Sequence, residues 1–217
     1  MKRYKRFLAD VRLGDDVITA HCANPGRMTS CLEDGGRVWL SHSDNPKRKL
    51  KYSWEIAEVN GAQIAINTAR GNQVVKEGLL RALGGSTLES EVKHGASRID
   101  FRIDGTHWVE VKSVSLRVGE NTGAFPDAPT ERGRKHLQEL TTIVEKGGRA
   151  TLFFLIARDD VNTVHPADDV DPKYGDLLRT AMDAGVEVVC WTLDINGREL
   201  TLGERGTVLR RAPPSSA

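Results

Sequence analysis

Ser97-Arg98-Ile99-Asp100-Phe101-Arg102-Ile103-Asp104-Gly105-Thr106-His107-Trp108-Val109-Glu110-Val111-Lys112 reads as two β-strands around a turn. Side chains alternate along a strand. Ile99, Phe101, Ile103, Val109 and Val111 therefore share an apolar face, while Asp100, Glu110 and Lys112 share the other. Asp104-Gly105 marks the turn. With a three-residue loop from Asp104 to Thr106, Ile103 faces His107 and Asp100 falls opposite Glu110; a two-residue loop shifts the pairing by one. Two carboxylates opposed on a ladder repel by up to ~1 kcal/mol, so a compensating partner is expected. A divalent cation, Mg²⁺ or Mn²⁺, is one: Mg²⁺ takes oxygen ligands and favours one or two carboxylates completed by water and phosphate. Lys112 lies ~6.6 Å beyond Glu110 on the same face. There it can orient or deprotonate a water, or stabilise charge on phosphorus.

Working outward, the period is helical from about residue 72, with Val74, Val75, Leu79, Leu80 and Leu83 on one stripe and Gly84-Gly85 as the stop. Strand-like stretches follow at 87–94, 97–103 and 107–118. Thr130 to Lys146 is a predicted helix, with Leu137, Leu140, Ile143 and Val144 on one face. Ala150 to Ala157 is a continuous apolar run, the mark of a strand covered on both faces. A helix over Asp171 to Ala184 and a strand over Val186 to Leu193 complete the order α-β-β-β-α-β-α-β, a mixed α/β domain. The closing Ala-Pro-Pro-Ser-Ser-Ala reads as a frayed tail.

The spacing Asp-x9-Glu-x-Lys after a helix and a strand looks like the motif of the PD-(D/E)xK nuclease superfamily. The bare spacing also fits an exposed, salt-bridged strand face; the α-β-β-β-α-β context and the shared face favour the nuclease reading. Asp100, Glu110 and Lys112 are thus the candidate catalytic residues, with Asp100 and Glu110 as metal ligands. Glu77, on the preceding helix, is a candidate further ligand or a solvated helix charge. Glu91 reads as an edge charge. Arg98, Glu131, Lys135 and His136 are candidates for a supporting layer; Glu131 and Lys135 also fit a simple i,i+4 pair.

The first 70 residues read differently, as roughly five short strands between turns, which suggests a small β-barrel. Asn60-Gly61 between alternating segments is a hairpin signal. This part holds 12 Lys and Arg against 8 Asp and Glu, while the remainder is net acidic, so the basic excess hints at a polyanion-binding module. Lys47, Arg48, Lys49 and Lys51 are candidate phosphate contacts, joined by Arg3, Lys5 and Arg6 near the N-terminus. Tyr52 is placed to stack on bases, whereas Trp54 fits barrel packing.

With 39% hydrophobic and 28% charged residues, the 217-residue chain has ordinary globular composition. No apolar run approaches the ~20 residues that span a bilayer. Met-Lys-Arg-Tyr-Lys-Arg, with no apolar stretch behind it, is unlike a secretory signal. Cys22, Cys31 and Cys190 are too scattered for a disulfide framework and fit free thiols in a reducing cytoplasm. No phosphate-binding Gly-x-x-x-x-Gly-Lys-Ser/Thr loop, nucleophile elbow or helix-turn-helix pattern is found, so a sugar kinase, a sugar hydrolase and a conventional repressor are disfavoured.

Longer segments carry a family resemblance: Arg3-Tyr4-Lys5-Arg6-Phe7-Leu8-Ala9-Asp10, His21-Cys22-Ala23-Asn24-Pro25-Gly26-Arg27-Met28, Ser43-Asp44-Asn45-Pro46-Lys47-Arg48-Lys49-Leu50, and Val109-Glu110-Val111-Lys112-Ser113-Val114. Phe125-Pro126-Asp127-Ala128-Pro129-Thr130-Glu131-Arg132-Gly133-Arg134-Lys135-His136-Leu137 adds to them. Together they resemble the sugar fermentation stimulation protein A family over nearly the whole chain. Pro25 stands where the family usually has Thr, and Pro129 where it has Val. The resemblance implies an N-terminal OB-fold (residues 1–71) followed by a PD-(D/E)xK nuclease-like domain (72–217). It also implies DNA binding and a link to the regulation of sugar (maltose) metabolism. The expectation is a Mg²⁺-dependent nuclease-like protein acting on DNA, with RNA second. The alternative is a DNA-binding regulator on a non-catalytic nuclease scaffold. The two buried-looking strands near the C-terminus leave room for a homodimer.

Overall fold

The computed structural model describes residues 2–95, 97–197 and 199–213. Most of the tail expected to fray lies outside them. The N-terminal part runs β1 (Lys2–Tyr4), β2 (Leu8–Leu13), β3 (Asp16–Cys22), β4 (Val38–His42), β5 (Tyr52–Val59) and β6 (Ala62–Ala65). Next come α1 (Thr68–Leu83), β7 (Leu88–His94), β8 (Ser97–Ile103), β9 (His107–Val114), β10 (Leu116–Gly119) and β11 (Asn121–Phe125). The chain closes with α2 (Glu131–Glu145), β12 (Arg149–Ile156), β13 (Val161–Pro166), α3 (Pro172–Asp183), β14 (Glu187–Asn196), β15 (Glu199–Arg205) and β16 (Thr207–Val208).

The first sheet has the order β1-β2-β3-β5-β4, with β6 on β5 and a parallel β3–β5 pair. No ladder joins β4 to β1 among the described residues, so the ladders do not close this sheet into a barrel. Asn60 and Gly61 both take left-handed φ, as a tight turn with twisted strands requires. Trp54 is fully buried, and its indole N–H donates to the Ile56 carbonyl, which is the packing role read for it.

The strand after the Asn60-Gly61 turn stops at Ala65, and α1 starts four residues before the expected change of period. The cause is Asn67, whose side chain accepts from the Ala69 N–H and caps the helix. The stretch expected as one strand from 107 to 118 divides at Ser115. There the carbonyl turns to accept from Arg158.

The second large sheet has the order β15-β14-β12-β9-β8-β7. β12 is its centre, parallel to β9 on one side and β14 on the other, and is buried on both faces as its apolar run predicts. Its Leu152, Phe154 and Ile156 pack with Leu137, Leu140, Tyr174 and Leu178 of α2 and α3. Phe153 and Leu155 pack on the other side with Val74, Val75, Phe101 and Val111, under α1. A small sheet of β10, β11, β13 and β16, unexpected from sequence, abuts this frame.

Candidate active site

The hairpin turn is the three-residue form. Asp104 and Gly105 are left-handed, and the Thr106 N–H donates to the Ile103 carbonyl. Ile103 pairs with His107 and Phe101 with Val109, so the next step sets Asp100 against Glu110. On the other side of β8, Ser90 pairs with Phe101 and Val92 with Ile99, which sets Glu91 against Asp100. Glu91, Asp100 and Glu110 therefore form a row across three neighbouring strands.

Glu110 is only 2% exposed. One of its oxygens receives both the Lys112 ammonium and His136 Nδ1. Lys112 Nζ also lies 3.2 Å from His136 Nδ1. Burial alone pushes the Glu110 carboxyl up, but Lys112 and His136 outweigh it and hold the group below its usual range. Asp100 is the reverse case. It accepts from the Val111 N–H at 2.8 Å and the Asn72 amide at 3.0 Å. Burial, and then the facing Glu110, nonetheless push its carboxyl up to about 6. The repulsion across the row is thus relieved at Glu110 and left standing at Asp100.

The row sits in a cavity of about 530 Å³ between the two parts of the chain. Glu91, Asp100, Glu110, Lys112 and Asn72 line it, with Arg6 and Asn24–Gly26 from the N-terminal part and Thr130 and Arg132 from the start of α2. Asp127, in the turn before α2, ties the two parts together by accepting from the Met28 N–H at 3.0 Å. Gly26 permits this approach, since a Cβ there would collide with the Asp127 carboxylate.

Not every candidate converges here. Glu77, expected as a further ligand, lines a separate groove beside Val11, Trp39 and Tyr52. Five residues along a helix turn it about 140° from Asn72. The early start of α1 gives the site-facing position to Asn72, and Glu77 is replaced in the row by Glu91, which had read as an edge charge. His136 does join the site, while Glu131 and Lys135 line a groove between α2 and α3. Arg98 is exposed and does not line the cavity.

Among the basic candidates, Arg3 donates to the carbonyls of Asn24, Gly26 and Arg27 and so braces a loop instead of facing solvent. Arg48 donates to Ser53 and Lys51 to the Asn45 carbonyl, while Lys5, Lys47 and Lys49 are exposed. Tyr52 stands edge-on to His42. Sequence reasoning missed Asn72, Glu91 and Arg132. The capping signal at Asn67 could have found Asn72, one helical turn past Thr68.

The donor set suits a hard divalent ion. Oxygen dominates it, Asp100 carries uncompensated charge, and the second Glu110 oxygen has only a 3.4 Å contact to the Asp100 N–H. Among the described residues no three His, Cys, Asp or Glu side chains form a ready-made metal cage. A two-carboxylate site completed by water and phosphate does not need one.

Residues 1–66 match the family described as "SfsA N-terminal OB domain", and residues 68–199 match "Sugar fermentation stimulation protein RE domain". A "Sugar fermentation stimulation protein homolog" of Geobacter sulfurreducens is 47% identical over 96% of this chain and 94% of its own. One from Thioalkalivibrio sulfidiphilus is 49% identical over 87% and 84%. A solved structure of Pyrococcus furiosus SfsA in complex with Ca²⁺ superposes with a TM-score of 0.86 at 27% identity, over 96% of this chain and 93% of that one.

Proposed function

The chain belongs to the sugar fermentation stimulation protein family, and from that premise we propose that it is a DNA-binding, divalent-metal-dependent phosphodiesterase of the PD-(D/E)xK type, acting in the cytoplasm. The observation that carries this reading is the row Glu91–Asp100–Glu110 with Lys112 beside it, at the floor of a cavity wide enough for a nucleotide-sized ligand. The Pyrococcus furiosus relative was solved in complex with Ca²⁺, an oxygen-seeking ion, which supports a metal on the same donor chemistry here.

Asp100 and Glu110 would hold Mg²⁺ or Mn²⁺, with Glu91 as a further oxygen donor. The bound ion would supply charge neutralisation and Lewis acidity at the phosphate. Lys112, fixed between Glu110 and His136, presents an ammonium to a phosphate oxygen or to the attacking water. Lys5, Arg6, Lys47 and Lys49 are the side chains best placed for phosphate contacts. RNA shares the backbone chemistry and is the second substrate to test. A regulatory effect on sugar use would follow from action on DNA.

One observation favours a second reading, binding without cleavage: the Glu110 oxygen engaged by Lys112 and His136 is already neutralised without a metal. Incubating the protein with single- and double-stranded DNA and RNA in Mg²⁺, Mn²⁺ or EDTA separates the two. Cleavage that needs metal and disappears in Asp100→Ala and Lys112→Ala supports the phosphodiesterase. Binding without cleavage, unchanged in both variants, sinks it in favour of a non-catalytic regulator.

A further inference from the structure

Two arginines line the cavity of the acid row from different parts of the chain. Arg6 comes from the N-terminal part and Arg132 from the first turn of α2. Arg6 stands at the tip of the β1–β2 hairpin, where Lys5 and Arg6 have φ of 49° and 61°. Left-handed backbone costs an L-residue with a long side chain roughly 1–2 kcal/mol. Two in succession are what a tight hairpin turn between twisted strands calls for, and in non-glycine residues they need neighbours to hold them. Arg3 does the holding, since its guanidinium donates to the Arg6 carbonyl and to the 24–27 loop. Arg6 itself makes a single long contact, 3.4 Å to the Pro25 carbonyl. Arg132 is exposed and lies 3.4 Å from His136. Among the described residues neither pairs with a carboxylate, although a carboxylate row lies at the cavity floor.

We propose that Arg6 and Arg132 grip the two phosphates that flank the reacting one in a single strand of nucleic acid, so that the phosphate between them stands over Asp100 and Glu110. The inference rests on the phosphodiesterase reading and adds the substrate class. Guanidinium binds phosphate through paired hydrogen bonds, and Arg is suited to fixing a backbone in register. A single strand fits the site because Glu110 is 2% exposed and Asp100 half-buried beneath walls from two parts of the molecule, with Glu91 exposed at the edge of the row. A duplex would have to be bent or kinked to bring one backbone down between those walls, at a cost on the order of 1–6 kcal/mol that a single strand avoids. Phe7, next to Arg6 and 48% exposed, offers a face for an unpaired base. The basic loop at 47–51 does not line this cavity and is not part of the grip.

The test is fluorescence anisotropy in EDTA, which isolates binding from cleavage, with a labelled 12-mer oligonucleotide and a duplex of the same sequence. The wild type is expected to bind the single strand at least about tenfold more tightly than the duplex. Arg6→Gln and Arg132→Gln should each weaken single-strand binding by about tenfold, the scale of one charged hydrogen-bonded contact. Each should also reduce the salt slope by about 0.7. Arg6→Lys, which keeps the charge, should bind more tightly than Arg6→Gln and carries the test if the latter disturbs the hairpin. Equal binding of duplex and single strand, or an unchanged salt slope in the double variant, overturns the proposal. Arginine-dependent single-strand binding without cleavage in Mg²⁺ upholds the grip and sinks the phosphodiesterase. Metal-dependent cleavage of duplex, indifferent to both arginines, does the reverse.

Discussion

Glu110 stays ionised in a nearly closed position because Lys112 and His136 meet the same oxygen. Removing His136 strips one partner from a buried charge. His136→Ala should therefore lose about 1–3 kcal/mol of stability, read as a lower urea midpoint with an unchanged m-value. Asp100 predicts the opposite sign. Its carboxyl is raised from 3.8 to about 6 in the folded state, so the native state binds more protons than the unfolded state between those values. Its stabilising contribution is present at acid pH and lost as pH rises towards 6 and beyond. In metal-free protein, Asp100→Asn should raise the melting temperature at pH 7.5 by an amount worth at most ~3 kcal/mol, and leave it nearly unchanged at pH 4. A higher wild-type than Asn-variant melting temperature at pH 7.5 in EDTA would contradict this. At this scale strand alternation put Asp100, Glu110 and Lys112 on one face, and the surrounding order of elements singled them out from an ordinary charged strand face. Glu91 and His136 were ambiguous because each depends on register or helical phase against a partner element.

Among the elements, α2 matters most to the site, because its N-terminal end brings Thr130, Arg132 and Gly133 to the cavity and, a turn further on, His136 to Glu110. Asp171, the cap of α3, sets that turn: it accepts from the Thr130 and Tyr174 N–H groups and pairs with Arg134. Burial raises its carboxyl, but these hydrogen bonds and the Arg134 charge outweigh it and hold it below its usual value of 3.8. Its contribution is therefore present above pH 3.8 and lost as pH falls further. Asp171→Ala should cost roughly 2–3 kcal/mol at pH 7, and the deficit should shrink in acid. Urea unfolding at pH 7 and pH 3 checks both. The long elements were readable because each carries a strong period, and Thr130 and Asp171 open their expected helices as caps; the cap at Asn67 was not read, and α1 was therefore expected to begin too late. The short strands β11, β13 and β16 were not. Asn121–Phe125 contains two small residues and no alternation, and Thr207–Val208 is too short to carry any period.

The molecule as a whole makes the cavity, since neither part encloses it alone. Arg158, 2% exposed, fixes the parts together: it donates to the Ser30 and Ser115 carbonyls and pairs with Asp160. Arg158→Ala removes these contacts, while the Ser115 carbonyl keeps Ser30 and Cys31 as donors and Asp160 keeps Arg117, so it should cost about 1–3 kcal/mol. The calorimetric unfolding of the variant should broaden or split where that of the wild type is single. This junction was out of reach of sequence reading, because it joins residues far apart in the chain that carry no shared pattern. The central claim is that the facing carboxylates Asp100 and Glu110 hold a divalent cation. Calorimetric titration of metal-free protein with Mn²⁺ or Ca²⁺ at pH 7.5 tests it most directly. The account predicts one class of site in the wild type and in Glu77→Gln, lost in Asp100→Asn and in Glu110→Gln. Binding that survives Asp100→Asn unchanged, or that disappears in Glu77→Gln, would contradict it.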